Sequence, residues 1–238
     1  MSGLASDTAM VMAAGLGKRM RPLTASQPKP LVRVAGKPLV DHALDRLAEA
    51  GIAKAVVNVH YLADALEAHV LERAAPRVII SDEREELLET GGGLIKAQPH
   101  LPDPFFCLNA DNIWLDGPRT AFGELSARWN PDAMDALLLV VPHPRASNFV
   151  GQGDFYMDPL GKLSRRKPGR IAPFIYTGIQ LVSQRLLRDA PAGKFSTNIL
   201  WNRAIEEGRL FGVSFTGQWF EVGTPQAIKP TEIALERG

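Results

Sequence analysis

The chain is poor in nearly everything that would mark a specialised environment. It has one cysteine in 238 residues, so no internal disulfide can form. That residue, Cys107, sits in the apolar run Phe105-Phe106-Cys107-Leu108 and reads as a small buried thiol rather than a reactive one. Net charge is nearly absent as well: at +1 there is no global field for wrapping nucleic acid or holding an acidic membrane. An anionic ligand must therefore be met by a local cluster of Lys and Arg. No apolar run approaches the ~20 residues of a membrane-spanning helix. Met1 to Thr8 lacks a basic stretch followed by an apolar one, so the cytoplasm is the expected compartment. His42, His60, His69, His100 and His143 show no ligand spacing such as His-x3-His, which leaves no imidazole-built metal site in view. No repeat, low-complexity tract or interdomain linker is visible.

What is present is an ordinary globular composition, 45% hydrophobic and 22% charged, arranged in an alternating rhythm. Ala9-Met10-Val11-Met12-Ala13 reads as a buried strand. Val40, Ala43, Leu44, Leu47 and Ala48 then form the stripe of an amphipathic helix that Gly51 stops. Ala55 to Val59 is a strand, and Leu62, Ala65, Leu66, His69 and Val70 a second helical stripe. Strands at Val78 to Ile80, Phe105 to Leu108 and Ala136 to Val141 alternate with helices from about Gly92 to Gln98 and Thr120 to Trp129. Alternation of this kind implies an α/β fold with parallel strands and helices on both faces. After Pro142 the rhythm changes, and residues 151–170 read as a small antiparallel hairpin insert. A strand at Ile175 to Val182, helical stretches at Gln184 to Asp189 and Ser196 to Glu207, and strands at Leu210 to Phe215 and Trp219 to Val222 follow. One domain over 1–238 is the economical reading.

The chemistry begins at Ala13-Ala14-Gly15-Leu16-Gly17-Lys18-Arg19-Met20-Arg21-Pro22-Leu23-Thr24. This loop leaves the C-terminal end of the first strand, where open α/β sheets bind ligands. Its glycines let backbone N–H groups approach phosphate oxygens, and Lys18, Arg19 and Arg21 add positive charge. It is not a Walker A loop, because Arg19 follows Lys18 and residue 12 is Met; nor is it the dinucleotide fingerprint, because Met20 stands where the third Gly belongs. Next come Gln27-Pro28-Lys29-Pro30-Leu31 and Gly36-Lys37-Pro38-Leu39. The flanking prolines stiffen the segment that presents Lys29. Its ammonium is either a positioned cation beside a phosphoryl group or a solvated loop lysine.

The stretch from Ala13 to Leu39 resembles the N-terminal signature of the sugar-1-phosphate nucleotidyltransferases, Ala-Ala-Gly-x-Gly-x-Arg-x-x-Pro-Leu-Thr followed by Pro-Lys-Pro-Leu and Gly-Lys-Pro. Leu88-Glu89-Thr90-Gly91-Gly92-Gly93, Asn109-Ala110-Asp111, Tyr176-Thr177-Gly178-Ile179 and Trp219-Phe220-Glu221-Val222-Gly223-Thr224-Pro225 extend the resemblance over most of residues 9–228. It implies a Rossmann-like domain with a mixed, mostly parallel sheet, a hairpin insert at about 151–170, and Mg2+ as cofactor. It also implies roles. Arg19, Lys29 and Asp111 are expected to be catalytic. Ala13, Ala14, Gly15, Gly17, Lys18, Arg19, Lys29, Glu83, Gly91 and Asn109 are expected at the nucleotide, with Ser81-Asp82-Glu83 and Gly91 facing the base edge. Asp154, Lys167, Thr177, Gly178 and Asn198 are expected at the sugar phosphate, and Asp111 and Glu221 at the metal.

Two positions depart from the family wording: Glu221 stands where Asp is usual, and Arg166 precedes Lys167 where Glu is usual. A turn-forming Asp111, a solvated basic run at Lys167 and an early-helix Asn198 remain the alternatives. Trp114 and Trp219, near the metal motifs, are expected to pack in the core. The Leu-Glu-Thr-Gly-Gly-Gly wording and Gly153-Asp154-Phe155 are most similar to the bacterial N-acetylmuramate-1-phosphate uridylyltransferases of cell-wall recycling. That resemblance implies UTP as nucleoside triphosphate and N-acetylmuramate-1-phosphate as acceptor, with no nucleic-acid or membrane partner and with monomer and homodimer both open. The same chemistry with GTP or CTP on mannose-1-phosphate, a heptose phosphate or a small alcohol phosphate stays as an alternative, as does a non-catalytic nucleotide-sugar-binding subunit.

Overall fold

Alternating burial along short apolar strands divides the core in two. The computed structural model, which describes residues 3–237, opens with strand β1 (Thr8–Met12), whose Ala9 and Val11 join one buried cluster and whose Met10 joins another. A period of two with both sides apolar is what a strand covered on both faces requires. The short hairpin β2 (Arg33–Val34) and β3 (Lys37–Pro38) leads into helix α1 (Leu39–Glu49), and β4 (Lys54–Val59), α2 (Ala63–Leu71), β5 (Arg77–Asp82), α3 (Glu89–Ala97) and β6 (Phe105–Asn109) follow. Strands β5, β4, β1 and β6 lie side by side in that order and all pair in parallel. Apolar stripes seat the helices: Val40, Ala43, Leu44 and Leu47 of α1 pack with Leu66 and Val70 of α2 on one face, Leu94 and Ala97 of α3 on the other.

The second half is less regular. It comprises β7 (Asn112–Leu115), α4 (Ala121–Arg128), β8 (Ala136–Pro142), β9 (Ala146–Ser147), the hairpin β10 (Phe155–Met157) and β11 (Leu163–Arg165), β12 (Phe174–Val182), α5 (Asn198–Glu206), β13 (Leu210–Ser214), β14 (Gln218–Glu221) and α6 (Ile228–Leu235). Helix α4 adds to the α1–α2 face and α5 to the α3 face. The uniform parallel sheet that the rhythm suggests is interrupted by β12, which runs antiparallel between β6 and β8. The cause is local. The chain leaves β8 and re-enters β12 at the same end of the sheet, with Pro142 opposite Phe174, and a connection of the hairpin type makes antiparallel neighbours however long its loop is. The β10–β11 insert hangs on the same end through Phe155 opposite Phe174, completing a mixed nine-stranded sheet.

A second sheet is not foreshadowed in the sequence reading. β7, β14 and β9 form three strands over a third cluster of Met20, Val34, Ile113, Phe220 and Val222, against which Ile228, Ala234 and Leu235 of α6 pack. This sheet ties the end of the chain to the loop after β6. Trp114 and Trp219 are both core residues, 2% and 3% exposed. No described helix is long and apolar enough to cross a membrane.

Cys107 lies on β6, buried among the residues of the α3–α5 face. Burial pushes its thiol up to about 12, because the thiolate loses its hydration there. The thiol should therefore stay protonated and unreactive at pH 8. Mass spectrometry after iodoacetamide treatment should find native protein unlabelled and urea-unfolded protein carrying one adduct.

Candidate active site

The loop after β1 is held from beneath by two polar side chains. Asn58, near the end of β4, accepts the Ala13 N–H at 2.6 Å and the Ala14 N–H at 3.3 Å through Oδ1. Its Nδ2 donates to Glu83 Oε1 at 2.7 Å, and Glu83 Oε2 accepts the Leu88 N–H at 3.1 Å. Asn58 is 2% exposed and Glu83 fully buried. A buried carboxylate persists only where donors replace its water, and these supply them. Glu83, expected against the base edge, is thus turned inward as a brace. Asn58 was missed; its only signal is one amide inside the apolar run Ala55 to Val59.

Beyond the brace the loop turns sharply. Gly17 has φ +61°, and a Cβ there would stand 2.9 Å from Lys29 Cβ. Thr24 Oγ1 closes the turn by donating to the Gly17 carbonyl at 2.9 Å. Lys29 opens a 3-10 turn, Lys29–Leu31, stiffened by Pro28 and Pro30 as expected, and its Nζ pairs with Asp111 Oδ2. Lys18 and Arg19 are both exposed, and of the two only Arg19 lines the cleft.

Asp111 leaves the tip of β6. The next residue, Asn112, opens β7 and pairs in register with Glu221 of β14. That pairing brings the carboxylates of Asp111 and Glu221 to one cavity of about 230 Å³ shared with Arg19, Asp154 and Gly178. Glu221 Oε1 lies 3.6 Å from Arg19 Nη1. Each carboxylate therefore faces a cation from the glycine-loop region.

The opposite wall is a bulge in β12. Between Tyr176 and Gln180 the register with β8 shifts, and Gly178 takes φ +81°. A Cβ at Gly178 would fall 2.0 Å from Asn112 Nδ2, so only glycine fits. Asn112 Nδ2 and Trp219 Nε1 both donate to the Thr177 carbonyl, at 2.5 and 2.9 Å. Thr177, expected at the sugar, is fully buried, and its hydroxyl donates to the Leu139 carbonyl at 2.8 Å; its side chain is occupied inside the sheet. Asp154 lines the cavity while accepting the Tyr176 N–H at 2.9 Å. Lys167 is exposed on the segment after β11 and lines none of the cleft.

Two further lobes complete the cleft, and Asn109 borders all three. One, about 360 Å³, lies beside Ala14 and Gly15 and is bounded by Leu87, Glu89 and Thr90. The other, about 200 Å³, is walled by Thr90, Tyr176, Ser196, Asn198 and Trp201. Gly91, expected to face a base, instead donates its N–H to the Phe195 carbonyl at 2.9 Å and lies against the Phe195 ring. It joins α3 to the segment before α5, and its neighbours Glu89 and Thr90 are the residues that meet the cleft.

This arrangement has known counterparts. Residues 8–152 match the family model described as nucleotidyl transferase. The chain belongs to the nucleotidyl transferase family. This transferase is 44% identical over 236 residues, 97% of its own length and 98% of the relative's, to an N-acetylmuramate alpha-1-phosphate uridylyltransferase of Caulobacter vibrioides. It is 32% identical over 228 residues to a protein of the same name from Neisseria meningitidis serogroup B, covering 94% of this chain and 96% of that one. The inositol-1-phosphate CTP transferase from T. maritima has the same fold at a TM-score of 0.79, with 18% identity, covering 99% of this chain and 97% of that one.

The transferase has the donor chemistry for a hard divalent cation. Three carboxylates, those of Asp111, Asp154 and Glu221, border one cavity, Asp154 being engaged by the Tyr176 N–H, and no group of three or more His, Cys, Asp or Glu placed to hold a metal together occurs among the described residues. One or two protein carboxylates, completed by substrate phosphates and water, is what an ion such as Mg2+ takes. Two substitutions probe the scaffold. Asn58→Ala strands the Ala13 N–H and part of Glu83, and should lower stability by about 1–3 kcal/mol. Gly178→Ala should cost more, since its Cβ would displace Asn112 Nδ2 from the Thr177 carbonyl and sit at a positive φ. Urea unfolding midpoints measured for both against wild type check the order.

Proposed function

We propose that this chain, acting as one nucleotidyltransferase domain over 1–238, transfers the uridylyl group of UTP to N-acetylmuramate-1-phosphate, giving UDP-N-acetylmuramate and pyrophosphate in cell-wall sugar recycling. The observation that carries the reading is the convergence of the glycine loop, Lys29, Arg19 and the Asp111–Glu221 pair on one cleft. Support for the substrates comes from 44% identity across 97% of the chain to a relative named for that reaction. Support for the nucleotide assignment comes from the Ala13–Gly17 backbone, positioned at the end of β1 by Asn58.

In this reading the triphosphate lies along Ala13 to Gly17, with its base in the lobe bordered by Leu87 and Thr90, and the sugar occupies the lobe walled by Tyr176, Ser196, Asn198 and Trp201. An oxygen of the sugar phosphate attacks the α-phosphorus of UTP. A new P–O bond forms on one side as the bond to the pyrophosphate oxygen breaks on the other, and the electron pair leaves with pyrophosphate. The nucleophile is already anionic, so no general base is needed. The remaining difficulty is to bring two polyanions together in the right alignment. Lys29 and Arg19 offset the charge, each released from its carboxylate as phosphate oxygens take over as partner. Asp111 and Glu221 are the residues that would hold Mg2+, which when bound would supply positive charge against the phosphates.

Pyrophosphate release tests the whole scheme. UTP with N-acetylmuramate-1-phosphate should turn over only when Mg2+ is supplied; GTP turning over with mannose-1-phosphate while UTP stays inert would overturn the uridylyl assignment. Asp111→Ala should lower kcat by at least about 10³-fold with an unchanged circular dichroism spectrum, and Lys29→Ala by about 10²-fold. Wild-type rates in Asp111→Ala would remove the metal assignment.

A further inference from the structure

The lobe read above as the acceptor pocket contains no charged side chain in its wall: Thr90, Tyr176, Ser196, Asn198 and Trp201 are neutral, as are the residues beneath them. Such a lining suits hydroxyls and the apolar face of a pyranose. A sugar that also carries a carboxylate brings a charge whose lost hydration must be replaced from somewhere. The cations near this side of the molecule are mostly engaged. Lys194 stands 3.8 Å from Glu89, and Arg185 and Arg209 both bind Asp135, at 2.7 and 2.6 Å.

Arg165 differs. It ends β11, and its guanidinium lies over two aromatic rings, 4.9 Å from the Phe155 centroid and 5.6 Å from that of Trp201. Nε donates to Asn202 Oδ1 at 2.9 Å and Nη2 to Asn198 Oδ1 at 2.8 Å. Among the described residues it has no carboxylate at ion-pair distance, and Nη1 has no hydrogen-bond partner. Burial draws its pKa down, and the charge of Asp154, beyond ion-pair distance, opposes this only in part. Both residues that fix it against the pocket, Asn198 and Trp201, are wall residues of that lobe. The group is therefore a partly desolvated cation held behind two wall residues of a neutral pocket, one hydrogen-bonded to it and one stacked beneath it. Its planar fork matches a carboxylate in two-point geometry, and stacking on the rings holds it in place without neutralising it.

We propose that Arg165 reads a carboxylate on the acceptor sugar and so sets a preference for an acidic sugar-1-phosphate over its neutral counterpart. The inference rests on the nucleotidyl-transfer reading of the cleft and adds to it the residue that selects the acceptor. A carboxylate entering the lobe takes Nη1, and Nη2 as it leaves Asn198, while Asn198 Nδ2, now bonded to Ser196 Oγ at 3.1 Å, provides a third donor.

Two acceptors that differ only by the lactyl ether, N-acetylmuramate-1-phosphate and N-acetylglucosamine-1-phosphate, test this. Their kcat/KM values are measured with UTP and Mg2+ in wild type, Arg165→Gln and Arg165→Lys. The expected result is a wild-type preference for the acidic acceptor that falls by about 10- to 100-fold in Arg165→Gln, with kcat/KM for the neutral acceptor changed by less than about 3-fold and part of the preference kept in Arg165→Lys. Equal losses with both acceptors would assign Arg165 to packing on Trp201 and overturn the proposal, as would an unaltered preference. Should Arg165→Gln fail to fold by thermal melting, Arg165→Met, which keeps an apolar stem over Trp201, carries the same comparison. Wild type inert with both acceptors sinks the proposed function along with this inference. Wild type active on both without preference sinks this inference alone.

Discussion

Carboxylates that share one cavity repel each other, and at the front of this molecule Asp111, Asp154 and Glu221 line the same space. Asp111 and Glu221 reach the same space because Asn112 and Glu221 are paired in the small β7–β14–β9 sheet. In the free chain Lys29 and Arg19 offset them. The two pairs differ in kind. The Lys29 side chain is 12% exposed and fixed between prolines, whereas Arg19 is 71% exposed and meets Glu221 only loosely at 3.6 Å. A screened, mobile pair contributes little to stability, but it leaves a cation free to follow an incoming phosphate. On the proposed reading, the same four groups that balance one another without substrate are the ones a polyanionic substrate and a divalent cation would call on.

The rest of the fold keeps those groups where they are. The Glu83–Asn58 brace links the tips of β5, β4 and β1, so the phosphate-facing loop is supported by three adjacent strands rather than by its own turn. Across the cleft the bulge at Gly178 presses the Thr177 carbonyl against Asn112 and Trp219. That contact couples the long strand β12 to the small sheet bearing Glu221. Preorganisation of this sort matters most where the chemistry consists of alignment and charge neutralisation, because any movement at the moment of reaction would cost reorganisation energy. Glu221, in place of the more usual Asp, reaches back toward Arg19, and a Cβ at Gly223 would stand 3.2 Å from its Oε1.

Much of this was legible in the amino-acid sequence. Apolar periods located the strands and helices because burial on one or both faces is a local demand, readable within a window of several residues. The glycine loop, Lys29 between its prolines and Asp111 after an apolar run were legible for a similar reason: each is a short string with its own physical logic, and the family resemblance lies in those strings. What local patterns do not contain is direction and partnership. Hydrophobic runs are identical for parallel and antiparallel strands, so β12 could not be told from its neighbours. Asn112 to Leu115 is too short to be recognised as a strand before Gln218 to Glu221 is laid beside it.

The roles assigned to Glu83, Thr177 and Gly91 show where the boundary falls. All three stand inside or next to recognisable motifs; Glu83 and Gly91 are taken up by a buried hydrogen bond and a packed ring, and Thr177 borders the cavity but its hydroxyl is engaged by the Leu139 carbonyl. Conversely Asn58, Asn112 and Arg165 belong to no recognised role, yet one supports the loop, one spans the bulge and one stands over Trp201, itself a wall of the lobe that Tyr176 and Asn198 border. The residue string by itself determined the class of fold, the family and the glycines, cations and carboxylates that converge on the cleft. Tertiary structure alone decided which polar groups are consumed by the scaffold and which stay free to meet a ligand, because that depends on partners brought close from distant parts of the chain.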